Sequence, residues 1–263
     1  MPTLNSPRIR VTATATLLCL LLLGCAAPTP DETKGGSGTA PLWAGRPIGA
    51  PPSPNPRLRQ RIIDRALGEW NYFGRQTIVF QGDDESMPHV GYWEDDDGSH
   101  SRRVNSYWRA AGEPNLNGMD CQKPWSAAFM SWVMQSAGVP ESQFSRSIAH
   151  WVYLARIVDA ASLPGRYFVP RRLKDYSPRP GDLVCASRNP SRVFSADVYV
   201  TSRMLYSLSA HCDLVVSKQG RTLETIGGNV RNSVSKSRWE LDPRGLVKPN
   251  KRRPWFLIME NRL

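Results

Sequence analysis

The chain has 263 residues, 40% of them hydrophobic and nine of them tryptophan, with a formal charge of +11. This composition excludes a wholly disordered chain, and the absence of a repeating spacing excludes collagen, coiled coil and solenoid. The length fits one domain of about 150 to 200 residues plus appendages. The basic balance points to an anionic partner such as nucleic acid, lipid head groups or an acidic polymer, and says nothing of fold.

The elements begin with an export signal. Arg8 and Arg10 give a short positive start, and Leu17 to Leu23 form an apolar core interrupted by Cys19. That core is too short for a permanent span, which needs roughly 20 apolar residues. The ending Leu22-Leu23-Gly24-Cys25 resembles the lipobox of bacterial lipoproteins. The resemblance implies a signal peptide over 1–24, a lipid on Cys25, and with Ala26 next, the periplasmic face of the outer membrane. Removal of two arginines leaves 11 − 2 = +9 on the mature side chains. Export replaces nucleic acid with peptidoglycan, and with the membrane that holds the anchor, as the expected partners. Residues 25–56 hold Pro28, Pro30, Pro41, Pro47, Pro51, Pro52, Pro54 and Pro56 with Gly35, Gly36 and Gly38, a composition that reads as a tether. The folded domain is expected over 57–263.

In that domain Ile62, Ile63, Ala66, Leu67, Trp70 and Phe73 recur at helical spacing, with Arg57, Arg59, Arg61 and Arg65 on the other side. Residues 74–118 look irregular. Their acidic runs Asp83-Asp84-Glu85 and Glu94-Asp95-Asp96-Asp97 lack the alternating ligand spacing of a helix-loop-helix calcium site and read as acidic surface loops. Pro124 to Ala137, closed by Gly138, has helix start and stop signals. A third helix is expected over 146–160. Strand texture follows at 181–185, 211–216, 222–226 and 255–259, with 199–208 ambiguous between strand and helix. Helices first and strands afterwards argue α+β, with the helices packed on an antiparallel sheet.

Four ordered motifs carry a resemblance: Lys123-Pro-Trp-Ser-Ala-Ala-Phe-Met-Ser-Trp-Val, Arg179-Pro-Gly-Asp-Leu-Val, His211-Cys-Asp-Leu-Val-Val and Ile226-Gly-Gly-Asn-Val. Together, over roughly 57–258, they resemble the bacterial lipoprotein family known as domain of unknown function 2272. That family is in turn similar to the NlpC-type and CHAP-type cell-wall peptidases, which have a reduced papain-like fold. In those enzymes Cys-x-x-Phe opens a helix, Pro-Gly-Asp starts a strand, and His starts the next strand. A polar residue on the strand after that orients the His. The resemblance therefore implies Ser126 as nucleophile, His211 as base and Asn229 as orienting residue, with Trp125, His150, Asp213 and Gly228 as groove candidates.

A helix N-terminus lowers the pKa of a thiol, and a nearby imidazole takes its proton. A serine gains little from the helix and needs a true general base with an oxyanion site. Cys121, in Asp120-Cys121, is the alternative nucleophile, although it precedes Pro124 and the helix. Asp213, two residues after His211 on a strand, is an alternative orienting group. Asp182 reads as a turn residue. Of Cys121, Cys185 and Cys212, the last two fall on strands expected to be neighbours and form the expected disulfide. A zinc site built from His211, Cys212 and Cys185 lacks paired ligand spacing, so no metal or cofactor is expected. Three functions remain open: a lipid-anchored peptidoglycan amidase or endopeptidase, an inactive papain-like module that binds cell wall or a periplasmic partner, and a structural lipoprotein of the envelope.

Overall fold

The computed structural model describes residues 41–189, 192 and 194–263. The expected signal peptide, Cys25 and the first part of the tether lie outside the described residues. The last part of the expected tether does not behave as one. β1 (Leu42–Trp43) and β2 (Arg46–Pro47) form a small ribbon, and Trp43 and Ile48 are buried. Backbone bonds join Gly49 to Ala161 and Gly165 to Ala50. A side chain on Gly49 would collide with the Leu163 carbonyl. Proline-rich sequence was a correct sign of irregular backbone here, but two apolar anchors suffice to fasten it from residue 41 onward.

α1 (Pro56–Tyr72) starts where the Asn55 side-chain oxygen Oδ1 accepts the Leu58 N–H at 3.0 Å, with Pro56 in the first turn. Its buried stripe is Leu58, Ile62, Ile63, Ala66 and Glu69. The segment expected to be irregular contains β3 (Thr77–Gln81), β4 (Asp84–His89) and α2 (Gly98–Ala110). The acidic run before α2 is its start signal: Asp97 accepts the N–H groups of Ser99 and His100 at 2.7 and 2.9 Å. Bonds to Ser99 and His100 hold the Asp97 carboxyl well below its ordinary range. α1 and α2 are joined by Glu69, which is 2% exposed and accepts from Arg103 and from the Tyr107 hydroxyl. The Arg103 guanidinium also lies over the rings of Tyr72 and Trp132.

α3 (Ser126–Ala137) ends at Gly138, whose φ of 89° is the left-handed cap that favours glycine. α4 (His150–Asp159), β5 (Phe168–Arg171), β6 (Leu183–Ser187) and the short α5 (Ser202–Leu205) follow. Then come β7 (Ala210–Gln219), β8 (Thr222–Val230), β9 (Ser233–Glu240) and β10 (Trp255–Asn261). Eight strands form one sheet in the order β4-β3-β9-β8-β7-β6-β10-β5. Its pairings are antiparallel except β3 with β9. This is a mixed α+β fold with helices on one face of the sheet.

The two faces differ in their cover. Under the helices lies the larger core, with Phe129, Met130 and Val133 from α3 against Cys212, Leu214 and Ile226 from the sheet. On the other face Val184, Ala186, Val215, Leu223, Trp239 and Trp255 form a second core, covered by connecting segments. Asp182, at the Pro180-Gly181 turn, ties the sheet to its last strand by accepting the Arg179 and Asn261 N–H groups at 2.7 and 2.8 Å.

Candidate functional site

Ser126 is the first residue of α3, and no side chain caps that helix. The first-turn N–H groups and the positive end of the helix dipole are therefore directed at this point. Ser126 Oγ lies 2.8 Å from His150 Nε2, at the start of α4. His150 Nδ1 is bonded to the Tyr153 hydroxyl one turn on. Burial first, then the neighbouring His211 and Arg188, hold His150 well below the usual histidine range, so the imidazole is neutral. With Nε2 accepting from Ser126, the ring proton sits on Nδ1 and is donated to the Tyr153 oxygen.

The expected base is elsewhere. His211 Nε2 is 2.7 Å from Asp213 Oδ1, and Asp213 is in turn within 3.4 Å of the Thr225 hydroxyl. Burial pushes the His211 pKa down against the raising effect of Asp213. Burial alone would raise Asp213, but His211 and Arg253 outweigh it and the carboxyl lies below its ordinary range. The pair is thus a neutral imidazole donating to a carboxylate. The rings of His150 and His211 are 5.5 Å apart between centroids. Strand parity explains the split. Cys212, Leu214 and Val216 face the helix layer, whereas His211 and Asp213 share the parity of Val215 in the second core. Ser126 consequently meets the helix histidine instead of the strand histidine.

Asn229 does not orient His211. It has φ of 53°, followed by Arg231 at 54° and Asn232 at 60°, and the β8–β9 register shifts between Gly227 and Val230. It lies on β8 at that register shift, just before the turn at Arg231 and Asn232. This strained hairpin is held by Gln76, whose side-chain amide donates to the carbonyls of Val230 and Arg231, and by the Glu94 N–H to Asn232 O bond at 2.8 Å. The two glycines before it make room: a Cβ on Gly227 would stand 1.9 Å from Asp213 Oδ1, and one on Gly228 would stand 2.5 Å from Phe129 Cβ and 2.7 Å from the Trp125 ring.

Trp125 is 1% exposed, and its indole N–H donates to Glu94. Glu94 Oε1 is buried without a partner. Burial pushes the Glu94 carboxyl up to about 7, against the lowering bond from Trp125. Cys121 is exposed and free, with its Sγ 3.6 Å from Asp95 Oδ2. Local desolvation and then the carboxylates of Asp95 and Glu94 raise its pKa, the wrong direction for an activated thiol. Cys185 and Cys212 face each other across β6 and β7 and form a disulfide. Two bonded sulfurs offer no thiolate to zinc, and no cluster of three or more metal-ligating side chains occurs among the described residues.

The residues brought together are thus Ser126, His150, His211 and Asp213, with Trp125 and Gly228 packed alongside. Among the described bonds none joins Asn229 or Cys121 to these four; Cys121 is bonded to Asp95 and to the carbonyls of Gly118 and Met119. Tyr153 was missed, although its i+3 spacing from His150 on a helix was the available signal.

An α+β domain with a buried serine–histidine pair at a helix start is the class that this fold and site define. The family of uncharacterized proteins conserved in bacteria, domain of unknown function 2272, matches residues 86–261. The chain belongs to this family. No curated protein and no solved structure matches it. Among the described residues no helix is long and apolar enough to cross a membrane.

Proposed function

We propose that this is an exported, lipid-anchored envelope protein whose domain is an amide hydrolase of papain-like descent acting on peptidoglycan. The observation that carries the reading is the 2.8 Å contact between Ser126 Oγ and the neutral His150 imidazole at an uncapped helix start. In this reading His150 Nε2 takes the Ser126 proton as the oxygen attacks an amide carbonyl, and the first-turn N–H groups of α3 receive the developing oxyanion. Tyr153 holds the His150 tautomer. His211 and Asp213 stand behind as a polar wall that keeps His150 in place. The lipobox-like Leu22-Leu23-Gly24-Cys25 supplies the anchor and the location.

The test is mature protein incubated with purified peptidoglycan and with a fluorophosphonate, followed by mass spectrometry. New amine-terminated fragments and an adduct on Ser126 are expected, both lost in Ser126→Ala and His150→Ala. One observation favours a second reading, an inactive module that binds cell wall. Ser126, His150 and His211 are 2%, 4% and 1% exposed, so a substrate reaches them only if the cover moves. Co-sedimentation with intact peptidoglycan, without fragments or adduct, would establish that reading instead.

A further inference from the structure

We propose that Glu94 is a positioning residue for Ser126: it pins the Trp125 indole and so fixes the first turn of α3, in place of the missing helix cap. This role rests on the reading of Ser126 as the nucleophile and adds to it what keeps that oxygen within reach of His150.

The start of α3 needs a hold from outside the helix. Trp125 occupies the capping position with φ of −96° and ψ of 11°, not the extended backbone usual there, and no side-chain bond caps the helix. The Trp125 carbonyl nevertheless accepts the first helical bond, from the Phe129 N–H at 2.9 Å. A first turn without a cap frays unless other contacts fasten it. The domain grips the Trp125 ring instead. Phe73 and Tyr107 lie 6.2 and 5.5 Å from it between centroids, and Gly228 borders it with no room for a Cβ. These contacts form a slot. The indole has one donor, and that donor is given to Glu94.

Glu94 is itself fastened from two sides. Its N–H donates to the Asn232 carbonyl at 2.8 Å. Its own carbonyl lies under Gly118, where a Cβ would stand 1.9 Å away. The glycines and the positive-φ turn after β8 therefore serve one device: Gly228 makes the slot for Trp125, and Asn232 holds the residue that pins it. This gives the Ile226-Gly-Gly-Asn-Val motif a use that does not require Asn229 to touch His211.

The pin responds to pH. Burial raises the Glu94 carboxyl to about 7, and the Trp125 bond opposes that rise, so the indole is held more strongly by the carboxylate than by the acid. The hold tightens as pH rises through about 7. On the elements packed against Glu94, Asp95 adds to its rise, and the Cys121 thiol of the connector to α3 feels its charge. Asp120 accepts the Asn117 N–H at 2.9 Å. Asp97 and His100 of α2 pair with each other at 3.0 Å, and Arg231 of the turn pairs with Glu85 at 2.8 Å.

The test uses the whole chain labelled with 5-fluorotryptophan, the Trp125 resonance being assigned by its loss in Trp125→Phe. That resonance should shift with a midpoint at about 7 in the unsubstituted protein and stay still in Glu94→Gln. The Phe129 amide should exchange about ten-fold faster in Glu94→Ala, the effect of losing a helix cap, while the last turn of α3 keeps its rates. Glu94→Gln, which retains an acceptor oxygen, should restore most of that protection. Fluorophosphonate labelling of Ser126 should slow in Glu94→Ala, and its rise through neutral pH should vanish in Glu94→Gln. A Trp125 resonance that does not titrate in the unsubstituted protein, or unchanged Phe129 exchange in folded Glu94→Ala, would overturn the proposal. If Glu94→Ala does not fold, the titration in the unsubstituted protein and in Glu94→Gln decides alone. Absent labelling, with the resonance and exchange results as expected, would remove the nucleophile reading and leave the hold of Glu94 on α3 standing.

Discussion

The two faces of the sheet solve the same packing problem differently. The helix-covered face is closed by large rings: Tyr107, Trp125 and Phe129 lie within 5.3 to 6.4 Å of one another between centroids, and Ser126 and His150 are paired beneath them. The loop-covered face buries apolar strand residues too, but irregular segments cannot interdigitate with a sheet as a helix does, and a groove remains. Closed packing preorganises a reactive pair at the expense of access. Open packing leaves room for a ligand. His150 and His211, in ring proximity yet assigned to different sides by strand parity, mark where the two faces meet.

The largest effect is expected from the bond that holds β6 to β7. Cys185 and Cys212 are 27 residues apart, and loop closure of that size contributes about 3–4 kcal/mol. The double variant Cys185→Ala/Cys212→Ala should lose about that much in urea unfolding and disorder both faces together. If only one face responds, the sheet does not couple them.

Gly227→Ala is next. Its Cβ must displace the buried Asp213 carboxylate, and overpacking of this kind costs about 1–3 kcal/mol. The His211 imidazole resonances should shift in NMR, while the Ser126–His150 contact persists. A shift of both histidines alike would show that they form one unit.

Ser126→Ala removes a buried partner of His150, with an expected loss of about 1–2 kcal/mol together with loss of the fluorophosphonate adduct. Unchanged stability would mean that a water or another group replaces the hydroxyl.

The smallest effect is a slope. Glu94 and Asp182 are each raised to about 7, chiefly by burial. A carboxyl whose folded pKa is raised binds more protons folded than unfolded, so stability falls as pH rises from about 4.5 to about 7. Glu94→Gln should flatten part of that decline in melting temperature, and an unchanged slope would remove Glu94 as a cause.

Much of the helix layer was legible because its signals are local. The stripe of α1, and the proline before α3 with the glycine after it, are read from neighbours within a few residues. α2 was not legible, since Gly98 to Ala110 is polar and its cap sits in a run of acids that looked like a loop. β3, β4, β5 and β9 were missed because short strands take their identity from partners distant in sequence. In the site, the residue types were visible and their pairing was not. A histidine at the start of a strand can face either layer, and one residue of register decides it.

The sequence by itself determined the helices α1 and α3, the strands β6, β7, β8 and β10, the placement of Ser126 at a helix start, and the need for two glycines before Asn229. These follow from backbone preferences and hydrophobic spacing, which act over a turn or a strand. Only the tertiary structure decided that Ser126 meets His150 and that His211 belongs to Asp213. Those are encounters between segments tens of residues apart, set by strand parity and by which face each helix covers, and no local preference encodes them.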